Sequence, residues 1–93
     1  MKNESPKTLP TFANLPADFG RIVRQVRKQS GLRQAQAAPL CGVGTRFLSD
    51  LENGKQTLHL GKVLQVLHGL GLRIVIKRKE YADDHPNRVP DVV

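Results

Sequence analysis

Apolar residues recur along positions 16–71 in short runs at helical spacing, and each run is closed by a glycine. Phe19, Ile22, Val23 and Val26 follow the i, i+3, i+4, i+7 pattern, so the spacing predicts a helix over 16–30. Pro16 suits its first turn and Gly31 stops it, while Arg21, Arg24, Gln25 and Lys28 lie off the apolar stripe. A short alanine-rich helix over 34–41 follows and ends at Gly42. Pro39 removes a backbone donor and crowds the carbonyl four residues back, which predicts a bent or frayed last turn there. Val43, Phe47, Leu48 and Leu51 set a third helix over 45–53, with Thr45, Arg46, Ser49 and Asp50 facing outward. Gly54 sits just past its last periodic residue, where a left-handed position favours glycine. Leu60, Val63, Leu64 and Leu67 predict the buried stripe of a fourth helix over 59–70, ended by Gly71.

The period then changes. Positions 72–79 are β-branched and basic without a helical pattern, and they read as a strand with Ile74 and Ile76 on one face and Arg73, Val75 and Lys77 on the other. A lone strand leaves its backbone donors and acceptors unpaired. The simplest partner is the same strand of a second copy, antiparallel across a two-fold axis, so that Leu72, Ile74, Val75 and Ile76 belong to a dimer strand. The alternative is pairing with the N-terminal arm, which Pro10 handicaps. The expected organisation is a flexible arm (1–15), a helical domain (16–71), a dimerisation strand (72–79) and a flexible acidic tail (80–93). The fold class is mainly α: four helices plus one C-terminal β-strand pairing across a homodimer.

Charge sharpens this picture. The 93 residues carry 15 basic and 8 acidic groups, a net charge of +7. Positions 55–79 hold Lys55, Lys62, Arg73, Lys77, Arg78 and Lys79 with no acidic residue, whereas Glu80, Asp83, Asp84 and Asp91 lie beyond them. A basic body with an acidic tail suits a polyanion binder, and also a merely soluble basic protein. The single cysteine, Cys41, cannot form an internal bridge, and the polar N-terminus is unlike a signal peptide, so the reducing cytoplasm is the expected compartment. No apolar run approaches the ~20 residues that span a bilayer, so no membrane role is expected. Cys41, His59, His68 and His85 have no metal-ligand spacing. No nucleophile–base pair, carboxylate pair or phosphate-cradling glycine loop stands out, so neither catalytic residues nor a metal or cofactor is expected.

The third helix carries the most specific chemistry. A short helix that buries one side and shows Thr45, Arg46, Ser49 and Asp50 on the other suits a helix reading base edges in a DNA groove. The order of a helix, a short helix, a turn and a helix is the helix-turn-helix plan. The segments Arg27-Lys28-Gln29-Ser30-Gly31-Leu32-Arg33-Gln34, Gly42-Val43 and Leu51-Glu52-Asn53-Gly54-Lys55 resemble the phage-repressor-like (Xre/Cro) helix-turn-helix family over about residues 17–71. The resemblance implies that Thr45, Arg46, Ser49 and Asp50 read bases, Arg46 through a bidentate contact to guanine. It implies that Gln34 contacts a phosphate and braces the reading helix, and that the Asn53-Gly54-Lys55 turn lies on the sugar-phosphate backbone through its N–H groups and Lys55. It implies that Arg27 and Glu52 form an ion pair joining the first and third helices. Asp50, one turn after Arg46, is placed to pair with it. Arg33 stands where the family usually has a capping Thr, Ser or Asn, and is free to reach a phosphate. Ala37 replaces a common leucine, and Pro39 is unusual for the family.

Four helices, one strand and a polar tail are further similar to the HipB-type antitoxins. That similarity implies a dimer with a shared strand lid that binds a palindromic operator in the major groove, represses its own operon, and binds a HipA-type serine/threonine kinase toxin. Three readings stay open on the sequence: such an antitoxin and autorepressor, a stand-alone dimeric repressor of the same fold, and an adaptor whose basic face binds an acidic protein.

Overall fold

Short helical runs punctuated by glycine fold as a chain of helices packed edge to edge. The computed structural model describes residues 12–79. In chain order the elements are α1 (Pro16–Gln29), α2 (Gln34–Cys41), α3 (Thr45–Glu52) and α4 (Leu60–Gly69). Of the expected arm, positions 1–11 lie outside the described residues, as does the expected tail over 80–93.

The helix ends explain the boundaries. At the start of α1, Asp18 Oδ2 accepts from the N–H groups of Asn14 at 2.8 Å and Leu15 at 2.9 Å. Those two bonds satisfy donors that no carbonyl reaches, and they hold the Asp18 carboxyl below its ordinary value. At the end of α2, Gly42 takes φ 74°, its N–H donates to Pro39 O at 3.1 Å, and Val43 N–H donates to Ala38 O at 3.1 Å. This Schellman closure corrects the expectation of a frayed last turn. Pro39 and Ala35 are both exposed, so water can reach the Ala35 carbonyl that has lost its donor, and the bonds after the proline remain intact.

The core draws on all four helices: Val23 from α1, Ala37, Ala38 and Cys41 from α2, Leu48 and Leu51 from α3, and Val63, Val66 and Leu67 from α4. α1 packs on α3, and α2 packs on both α3 and α4. Small residues set how closely these helices approach. A Cβ on Gly20 of α1 would lie 2.2 Å from the Leu51 carbonyl oxygen, and one on Gly69 of α4 would lie 2.7 Å from Cys41 Sγ.

The buried face of α4 differs from the expected one. Val63, Val66 and Leu67 are buried, while Leu60 is 67% and Leu64 43% exposed. α4 carries two apolar stripes, and among the described residues the one turned to α2 is the one that is buried. Residues 72–79 form neither helix nor paired strand in the single chain. Leu72 packs on the core, but Ile74, Val75 and Ile76 are 40%, 70% and 90% exposed. A strand needs a second strand to satisfy its backbone groups, and the described residues contain none.

The contact at Gly20 is backbone against backbone and cannot be relieved by turning a side chain. Gly20→Ala is expected to destabilise the fold by about 3 kcal/mol or more, despite alanine's better helix propensity, as overpacking of a tight helix contact does. Urea unfolding followed by circular dichroism measures it.

Candidate nucleic-acid interface

Three elements meet at one buried carboxylate. Arg27 of α1 donates from Nε to Glu52 Oε2 at 2.6 Å and from a terminal nitrogen to Glu52 Oε1 at 2.8 Å. The two side chains are 9% and 3% exposed, so the pair is shielded from water. The other terminal nitrogen of Arg27 donates to the Leu32 carbonyl at 2.8 Å, which ties down the turn after α1. Gln34, the first residue of α2, donates from Nε2 to Glu52 Oε1 at 3.0 Å. Burial pushes the Glu52 carboxyl up, but the hydrogen bonds from Arg27 and Gln34, with the charges of Arg27 and Arg24, outweigh it and hold the group below its ordinary value. The same bond to Glu52 raises Arg27 despite its burial. The bidentate fork fixes direction as well as distance, so α3 is oriented against α1 and the start of α2 at once.

The N-terminus of α2 is left with open donors. Arg33 is its N-cap residue and gives no side-chain cap, while its own N–H donates to Gln36 Oε1 at 2.9 Å. The first two N–H groups of α2, on Gln34 and Ala35, have no acceptor among the described residues. They point along a helix axis whose N-terminal end is partly positive, an arrangement suited to a phosphate oxygen. Arg33 is exposed beside them.

Thr45 and Arg46 stand exposed in the first turn of α3, and Arg46 has no hydrogen bond or ion pair among the described residues. Ser49 and Asp50 are half-buried one turn later. Asp50 does not pair with Arg46: its Oδ2 lies 3.7 Å from Lys55 Nζ. The reason is local. The chain reverses at Asn53-Gly54 and brings Lys55 N–H back to the Asp50 carbonyl at 3.0 Å, so the lysine side chain starts next to the carboxylate. Arg46 therefore keeps all its donors.

The turn after α3 also departs from expectation. Asn53 N–H donates to Ser49 O, Gly54 N–H to Leu51 O and Lys55 N–H to Asp50 O, each at 3.0 Å. Gly54, at φ 82°, closes the helix. These three N–H groups are spent on the helix end and are not available to a phosphate, which leaves the Asn53 and Lys55 side chains as the turn's outward groups.

The sequence pairs Arg27 with Glu52 and has Gln34 brace the reading helix, but it does not show that Gln34 is bonded to the ion pair itself. Sequence reasoning also missed Gly20. The available signal was a glycine inside a strong helical pattern, which costs ~1 kcal/mol against alanine and so marks a close approach. Cys41 is buried, its Sγ lies 3.7 Å from the Val66 carbonyl oxygen, and burial pushes its thiol up. Among the described residues no group of His, Cys, Asp and Glu is placed to hold a metal ion, and no helix is long and apolar enough to cross a membrane.

Comparison with known proteins bears on this geometry. Residues 18–74 match the family model described as helix-turn-helix domain. The chain is 57% identical over 61 residues to the HTH-type transcriptional regulator y4mF of Sinorhizobium fredii, covering 66% of this chain and 80% of that protein. Among solved structures it superposes on the HipA-HipB-O2-O3 complex with a TM-score of 0.68 at 22% identity, over 74% of this chain and 97% of the other. It superposes equally on the HipB-O4 20mer complex, with a TM-score of 0.68 at 22% identity over the same shares. The restriction-modification controller protein C.AhdI from Aeromonas hydrophila gives a TM-score of 0.56 at 26% identity, over 62% of this chain and 84% of that one. At these identities the HipB likeness is one of fold.

Removing one partner of the buried pair leaves the other charge uncompensated. Arg27→Met is expected to cost about 3–5 kcal/mol in chemical denaturation. Because the folded-state value of Glu52 is depressed, its contribution is full above the ordinary glutamate value of 4.5 and is lost as pH falls through the lower folded value. Stability measured against pH should therefore fall on the acid side in the native chain, and fall less in Glu52→Gln.

Proposed function

The chain belongs to the helix-turn-helix family of transcriptional regulators, and on that premise we propose that it is a sequence-specific DNA-binding repressor working as a symmetric dimer. The observation that carries this reading is the outward face of α3. Thr45 and Arg46 stand free on a helix whose direction is locked by the buried Arg27–Glu52 pair. α3 lies in the major groove. Arg46 makes a bidentate contact to a guanine, Thr45 offers its methyl to a thymine or its hydroxyl to a phosphate, and Ser49 contacts a base or phosphate deeper along the helix. Asp50, held near Lys55, accepts from a cytosine amino group or repels wrong sequences. The open N–H groups of α2, with Gln34 and Arg33, seat one phosphate, and Asn53 and Lys55 flank another. The fold shared with the HipB-O4 20mer complex supports this docking mode.

The dimer rests on the unpartnered apolar side. Leu60 and Leu64 of α4, with Ile74, Val75 and Ile76, are exposed on the single chain. A 230 Å³ groove lined by Leu15, Phe19, Leu58, Leu60, Val63 and Ile74 adjoins them. Pairing of positions 72–79 with the same strand of a second copy satisfies their backbone groups and covers these side chains. Two α3 helices then meet a palindromic operator about one helical turn, ~34 Å, apart.

The finer role we propose is that of a HipB-type antitoxin that represses its own operon and binds a HipA-type serine/threonine kinase toxin. The fold likeness to HipB in the HipA-HipB-O2-O3 complex supports it. Co-purification with the product of a neighbouring kinase-like gene is the expected result. Specific binding to the upstream DNA without any such gene nearby identifies a stand-alone repressor instead. Failure to bind upstream DNA while binding an acidic protein identifies an adaptor.

Two substitutions test the DNA and dimer readings. Arg46→Ala is expected to lose about 1–3 kcal/mol of discrimination at one base pair in each half-site, measured by binding to operator variants. An unchanged preference removes Arg46 from the reading role. Ile74→Asp puts a charge under the shared strand and is expected to shift the chain from dimer to monomer in sedimentation. A variant that stays dimeric contradicts the strand pairing.

A further inference from the structure

The turn after α3 spends its N–H groups on closing the helix, so only the Asn53 and Lys55 side chains remain there for a phosphate, and Lys55 lies near Asp50. The neighbouring surface offers more. Arg21, Arg24, Gln25 and Lys28 fall at i, i+3, i+4 and i+7 on α1, so they share one exposed stripe. This stripe faces a 330 Å³ groove whose other wall is Glu52, Asn53 and Gly54. Arg21, Arg24 and Lys28 make the groove positive. The Glu52 carboxylate behind that wall is already matched by Arg27. Arg21 is shared with Asp18 at 3.6 Å, but Arg24 and Lys28 have no hydrogen bond or salt bridge among the described residues. None of these side chains contributes to the core. Three cations along two turns of one helix repel one another, and the pair of Arg21 with Asp18 and the pull of Arg24 on Glu52 offset this only in part, with none for Lys28 among the described residues.

We propose that the α1 stripe, through Arg24 and Lys28 with Arg21 at its end, is a second backbone-contact surface that grips the sugar-phosphate chain of duplex DNA beside the groove entered by α3. It rests on the DNA-binding reading and deepens it. The stripe runs along α1 from the Asn53-Gly54 turn toward the turn over 30–33 that leads into α2. It thereby bridges the two phosphate positions that the helix-turn-helix unit itself offers. Glu52 is only 3% exposed at its side chain and is neutralised, so the carboxylate does not repel a phosphate drawn to this groove. Contacts of this kind set register and affinity and carry no base preference.

The test uses the full chain, a duplex of the DNA upstream of its gene, and a random-sequence duplex of equal length. Binding of the native chain and of Arg24→Gln, Lys28→Gln and the double variant is measured across salt concentrations. Each phosphate that a variant no longer neutralises is expected to lower the slope of log K against log salt by about 0.9, or about 3.5-fold between 50 and 200 mM salt. The slope should fall on both duplexes alike, with base preference and melting temperature unchanged, whereas Arg46→Ala alters preference. An undiminished slope in the double variant overturns the role of α1 while leaving the DNA reading intact. Absence of binding by the native chain to either duplex overturns the DNA reading and this inference with it. Loss of binding to an acidic protein in the double variant, with DNA binding unchanged, assigns the stripe to that protein and overturns the proposal.

Discussion

The placement of α3 depends on one buried carboxylate. Glu52 sits at the last turn of α3, and three groups converge on it or on its partner: the Arg27 fork, the Gln34 amide and, through Arg27, the Leu32 carbonyl. Hydrophobic contacts alone let two short helices slide and rotate, because dispersion and burial are nearly indifferent to direction. A bidentate bond between charged planar groups is not indifferent. It accepts one angle between α1 and α3, and the added bond from Gln34 fixes where α2 begins. Charge burial on its own is a weak source of stability, so the pair is better understood as a device for geometry. The close backbone approach at Gly20 belongs to the same device. It brings α1 near enough to α3 for the Arg27 side chain to reach across without stretching.

How far the sequence predicts this arrangement depends on the kind of interaction. The four helices were legible because each carries a 3.6-residue apolar period and a glycine at its end, and both signals act locally. The Arg27–Glu52 pair and the position of Gln34 were legible through family resemblance. Interactions that depend on what happens to lie opposite were not. Leu60 and Leu64 repeat at helical spacing as well as Val63 and Leu67 do, and periodicity does not say which stripe meets α2. Helix spacing allows Asp50 to pair with Arg46, but chain reversal at Gly54 puts Lys55 nearer. The turn's N–H groups read as open donors until the helix closure consumed them. In each case local pattern supplies the available groups, and packing decides which of them are used.

The apolar side of the single chain follows from the same economy of parts. With a core of nine buried residues among those described, this helical unit is small, and small domains bury too little surface to carry a wide margin of stability. The second stripe of α4 and the β-branched segment after it leave apolar surface exposed, where a soluble monomer would normally carry charge. In the proposed dimer, covering that surface with a second copy would add to the core of each and join folding to association.

The Thr45–Arg46 end of α3 has a different consequence. Neither side chain hydrogen-bonds to the rest of the described protein, and neither is buried, while everything that holds α3 in place lies on its opposite side or at its far end. On the proposed DNA reading, scaffold and contact face are therefore written in separate letters of the sequence. Exchange of residues at 45 and 46 carries almost no folding penalty, so if α3 reads DNA as proposed, related chains can diverge in what they recognise while keeping the same skeleton, and a population can explore new targets one substitution at a time without passing through an unfolded intermediate.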